Sequence, residues 1–92
     1  MYAVELRFVA DGEATPSFGL IEAGLREHCG RFPGVRLEHL RVRRIGGEAY
    51  VVAFIAAPTA AHAEAFAATA GECLAAELNE LLFIGFRNWT GG

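Results

Sequence analysis

The sequence predicts an α+β fold, a four-stranded antiparallel sheet with two helices on one face. Three observations predict it. Apolar residues alternate with period two in three segments, run unbroken through a fourth and recur at helical spacing in two others. Proline and glycine punctuate the joins between those segments. At 92 residues, 53% hydrophobic and 21% charged, the chain has room for one domain around one core, so residues 1–92 read as a single unit.

The elements follow in order. Tyr2, Val4, Leu6 and Phe8 alternate with Ala3, Glu5 and Arg7, the period of a strand, which Asp11-Gly12 ends. Thr15-Pro16 reads as an N-cap with proline in the first helical turn. Phe18, Ile21, Leu25, His28, Cys29 and Phe32 then recur at helical spacing until Pro33 forbids continuation, with Gly30 or Gly34 closing the end. A second strand spans about Val35 to Arg44; Leu37 is out of phase with Leu40, which predicts a bulge or a late start. Gly46-Gly47 marks a hairpin. Ala49 to Ile55 is rich in β-branched and aromatic residues, as suits a central strand.

Pro58-Thr59 opens a second helix with an apolar stripe of Ala63, Phe66, Ala67, Ala70, Cys73, Leu74 and Leu78. Gly71 inside it costs about 1 kcal/mol of helix propensity relative to alanine, which implies a close approach by a neighbouring element. Asn79 is a left-handed stop, and Leu82, Ile84 and Phe86 alternate with Phe83, Gly85 and Arg87 in the last strand. The order βαββαβ, with two right-handed crossovers, is that of a ferredoxin-like two-layer sandwich.

Composition narrows the function. All basic residues are arginine, and the net charge of −3 supplies no field to gather nucleic acid. Gly47-Glu48-Ala49-Tyr50-Val51 is similar to the third-strand motif of RNA-recognition domains, which share this topology and stack bases on central-strand aromatics. Glu48 stands at the first aromatic position, however, and Glu5 at the matching place on the first strand, so nucleic acid is not expected. The longest apolar run, Ala49 to Ala57, is too short to span a bilayer, and Glu5 and Arg7 argue against a signal peptide. A cytoplasmic chain without membrane contact is expected, and its cysteines should be unpaired.

No motif supplies a catalytic group, a cofactor or a metal site. His28, Cys29, His39, His62 and Cys73 lack ligand spacing. Ser17 lacks a nucleophile elbow, and no glycine pattern cradles phosphate. Asp11-Gly12-Glu13 lies where regulatory amino-acid-binding domains of this topology hold ligands, but reads as a solvated turn. The terminal Gly91-Gly92 resembles the tail of ubiquitin-like sulfur carriers, although those have a hairpin before their main helix.

The sheet face away from the helices is therefore the candidate site. It should carry Ala3, Glu5, Arg7 and Val9 from the first strand, Arg41 and Arg43 from the second, and Phe83, Gly85, Arg87 and Trp89 from the fourth. The third strand depends on the hairpin. A two-residue turn at Gly46-Gly47 sets Val42 opposite Val51 and sends Tyr50, Val52 and Phe54 to the open face. A three-residue turn, Ile45-Gly46-Gly47, sends those residues to the core and Val51 outward. The second packs the larger residues beneath the helices and is the expected register. The expected activity is that of a non-catalytic module, homodimeric through this face with Val51, Phe83 and Trp89 near its centre. Arg7, Arg41, Arg43 and Arg87 would recognise carboxylates of a ligand or a protein partner. The alternatives are a cofactor-independent enzyme of the dimeric α+β barrel type, with Phe83, Trp89, Tyr50 and His39 lining its pocket, and the diglycine carrier.

Overall fold

A computed structural model describes residues 1–10, 18–78 and 81–89. Its elements are β1 (Tyr2–Ala10), α1 (Phe18–Cys29), β2 (Arg36–Ile45), β3 (Glu48–Ala56), α2 (Ala60–Leu78) and β4 (Leu81–Asn88). The strands form one antiparallel sheet in the order β2-β3-β1-β4. Val4, Leu6 and Phe8 of β1 and Val51, Ala53 and Ile55 of β3 are fully buried against Ile21 and Leu25 of α1 and Phe66, Ala70 and Leu74 of α2. Alternation along each strand thus sends one set of side chains beneath the helices and leaves the other set on an open face.

The termini of the elements have local causes. Tightened bonds from Gly30 N to Glu27 O and from Arg31 N to His28 O close α1, and Gly34 turns the chain with φ of 81°. Thr59 caps α2, its Oγ1 accepting the His62 amide at 3.2 Å. The phase change in β2 is a bulge, because the pairing with β3 shifts between Leu37 and His39. Gly71 lies against the Phe83 ring, and a Cβ built there would overlap it. Thr15, Pro16 and Asn79 lie outside the described residues.

Two features differ from the sequence reading, and both change the open face. The hairpin turns in two residues: Ile45 pairs with Glu48 and Val42 with Val51. Gly46 alone of its pair has positive φ, at 61°, as the first central residue of a type II′ turn requires. Val51 is consequently 0% exposed, and Tyr50, Val52 and Phe54 face outward. The layer above explains why. The packing face of α2 is built largely from Ala63, Ala67, Ala70 and Gly71, so helix and sheet lie too close to admit tyrosine or phenylalanine from every inward position of β3.

The second difference is a bulge in β4. Arg7 pairs with Gly85 but Phe8 with Phe83, so Ile84 is an extra residue, accommodated by φ of 143° at Gly85. Downstream, Gly85, Arg87 and Trp89 keep the open side. Upstream the phase reverses, and Phe83 turns inward to stack on Phe8 with ring centroids 5.4 Å apart. Neither Val51 nor Phe83 belongs to the open face.

Candidate functional site

The registers arrange the open face as a grid. Read from β2 to β4, its rows are Ile45–Glu48–Val9–Leu82, then Arg43–Tyr50–Arg7–Gly85, then Arg41–Val52–Glu5–Arg87. A fourth row is His39–Phe54–Ala3–Trp89, closed by the Trp89 amide donating to Ala3 O at 2.8 Å. Four arginines thus face two glutamates, on a chain whose net charge is −3.

Arg7 is the centre of this grid. Its guanidinium lies 5.4 Å from the Tyr50 ring centroid and 3.6 Å from Glu48. Tyr50 in turn donates its hydroxyl to Glu48 at 2.7 Å. Hydrogen bonding to Tyr50 is the main cause holding the Arg7 pKa above its ordinary value, so it is a fixed cation. Its Nε is covered and has no hydrogen-bond partner among the described residues. At the β4 margin Arg87 stacks on Trp89 at 5.1 Å, and at the β2 margin His39 lies 5.9 Å from Phe54. Arg41 and Arg43 occupy the same margin, one row apart.

The apolar content is correspondingly large. Ile45, Leu82 and Trp89 are 58, 64 and 54% exposed, and Tyr50, Val52 and Phe54 are only half covered. Of the predicted site residues, the structure brings Arg7, Arg41, Arg43, Arg87 and Trp89 onto one surface and removes Val51 and Phe83. Tyr50, Val52, Phe54 and Leu82 take their place. Their signal was in the sequence: Gly46-Gly47 is the composition of a two-residue turn, and Gly85 marked the bulge.

Other candidates do not assemble. Phe83, Trp89, Tyr50 and His39 line no common cavity: Phe83 lies under α2, and Trp89 and His39 stand at opposite ends of one row. A shallow cavity of about 240 Å³ between the end of α1 and the start of β2 is lined by Arg26, Cys29, Gly30, Val35, Arg36 and Leu37. Its arginines are engaged, Arg26 with Leu37 O and Glu22, Arg36 with Glu38 at 2.5 Å. Burial pushes the Cys29 thiol up, against the weaker pull of the Leu37 amide and Arg26, so it is no ready nucleophile. Both cysteines are free. Among the described residues no cluster of His, Cys, Asp or Glu could hold a metal ion, and no helix is long and apolar enough to cross a membrane. Gly91-Gly92 lies outside the described residues, and the helix after β1 is not the element order of a sulfur carrier.

No family model matches this chain, and no curated protein matches it. Among solved structures it is similar to the solution NMR structure of a de novo designed protein with ferredoxin fold. The TM-score is 0.72 at 14% identity, over 97% of this chain and 84% of the designed one. That likeness identifies the ferredoxin fold and carries no function with it.

Proposed function

We propose that this protein is a non-catalytic module that forms a homodimer by burying the open sheet face against a second copy. The observation that carries the proposal is the composition of the grid, in which Tyr50, Val52, Phe54, Leu82 and Trp89 are interleaved with charges of both signs. A face of this kind loses free energy by staying in water, about 1.5–3 kcal/mol for each large apolar side chain left uncovered. Its size suits the purpose. Four strands about 4.8 Å apart, of about eight residues rising about 3.4 Å each, offer roughly 500 Å² per copy. The roughly 1,000 Å² from two copies lies at the lower limit for a biological interface.

The charges select the arrangement. A two-fold axis lying in the interface, across the strands between the Tyr50 row and the Val52 row, sets each row against its counterpart reversed. Glu5 of one copy then meets Arg7 of the other, twice, adding a carboxylate to a guanidinium side chain that is 42% exposed. The same axis sets Leu82 over Trp89, Val9 over Ala3 and Tyr50 over Val52. An axis along the strands would instead set Glu5 over Val52 and Arg41 over Arg87, joining no opposite charges.

Light scattering at tens of micromolar tests the reading. The expected result is a dimer, converted to monomers by Val52→Glu with helical circular dichroism unchanged. A wild-type protein that is strictly monomeric there overturns it.

A further inference from the structure

Arg41 and Arg43 differ from the other arginines of the open face. Arg7 has Glu48 and Tyr50, and Arg87 has the Trp89 ring. Arg41 and Arg43 have Val52 and Tyr50 as cross-strand neighbours on one side and the edge of the sheet on the other, with no ion pair or hydrogen bond among the described residues. The nearest acid along that strand, Glu38, is held by Arg36. Two adjacent guanidiniums therefore stand at a sheet margin where the described carboxylates, Glu38 and Glu48, are engaged by other groups.

The proposed dimer doubles this set. The axis that pairs Glu5 with Arg7 also lays β2 over β2 of the second copy with rows exchanged, so Arg41 opposes Arg43 twice. Sheets packed face to face are about 10 Å apart, and the β2 margin stays open to solvent. Four guanidinium forks then border one gap from both sides, each with free N–H groups in the planar geometry that matches phosphate and carboxylate oxygens.

We infer that this margin binds a small polyvalent oxyanion, at a site made by Arg41 and Arg43 of both copies and incomplete in the monomer. The inference rests on the proposed dimer. The anion bridges the two copies, so its binding and dimerisation are linked: it tightens the dimer, and the monomer holds it weakly.

Sedimentation of the wild type in chloride, pyrophosphate and citrate at equal ionic strength tests this. With an anion at about ten times its own dissociation constant, linkage tightens the dimer about tenfold. The Arg41→Ser/Arg43→Ser variant is expected to dimerise in chloride at least as well as the wild type, relieved of repulsion, and to lose the anion response. Pyrophosphate acting where citrate does not identifies the ligand group as phosphoryl, and the converse identifies it as carboxylate. A dimer whose constant is the same in all three salts, or an anion response retained by the double variant, overturns the anion site and leaves the dimer standing. A monomer in every salt overturns both.

Discussion

His28 is the polar side chain most completely removed from water among the described residues, and its contacts fix its chemistry. Thr69 Oγ1 lies 2.9 Å from both Ala65 O and His28 Nε2, so the hydroxyl that bonds back to its own helix also ties that helix to the imidazole. The ring packs against Phe32 and Phe66, with Arg31 and Glu77 as its charged surroundings. Burial, assisted by Arg31 and opposed by Glu77, lowers its pKa below the ordinary 6.5. The fold thus favours the neutral ring. That contribution is complete above about pH 6.5 and is lost as pH falls towards the folded-state pKa. We predict a melting midpoint that drops between pH 7.5 and 5.5, and a smaller drop in His28→Gln, whose amide can still hydrogen-bond to Thr69. Equal slopes for the two proteins would refute the assignment. Periodicity placed His28 on the buried stripe of its helix, but nothing local names a threonine 41 positions away as its partner.

Elements were legible where their period was unbroken and illegible where one residue breaks it. The alternation of β1 and the helical stripes fixed which side chains meet, and the Leu37 phase change announced its bulge. The face of β3 depended on one residue of turn length, and the face of Phe83 on a bulge at Ile84, so a locally small difference moved whole side chains between core and surface. The contact between α2 and β4 makes the consequence measurable. Gly71→Ala would raise helix propensity by about 1 kcal/mol. Its methyl would overlap the Phe83 ring, and overpacking of that kind costs about 1–3 kcal/mol. The expected outcome is a net loss of stability in a urea titration; a gain would mean that the ring moves freely. Phe83→Glu is expected to unfold the protein, because it buries a charge beside Phe8. A folded monomer would instead return Phe83 to the open face.

At the scale of the whole molecule, the two layers differ in character. The helical layer covers β1 and β3 on its side of the sheet, with small residues of α2 allowing the close approach. The other side is an ordered array of aromatic, aliphatic and ionic groups, and its meaning depends on which rows meet. The proposed arrangement assigns Glu5 to Arg7 of the second copy, and a charge exchange tests that assignment apart from dimerisation itself. Glu5→Arg sets arginine against Arg7 at two symmetric places, and Arg7→Glu sets glutamate against Glu5 while also losing the contacts to Glu48 and Tyr50. Like charges opposed across an interface weaken it severely, and each single variant is expected to weaken the dimer about a hundredfold. The double variant Glu5→Arg/Arg7→Glu restores opposite charges at both places with their order reversed. It should therefore dimerise far better than either single variant, though less well than the wild type, because the Arg7–Tyr50 stacking is gone. Sedimentation equilibrium of the four proteins gives the coupling directly. Additive losses would mean that Glu5 and Arg7 never meet across the two-fold, and the cross-strand axis would have to be abandoned even if the dimer stands.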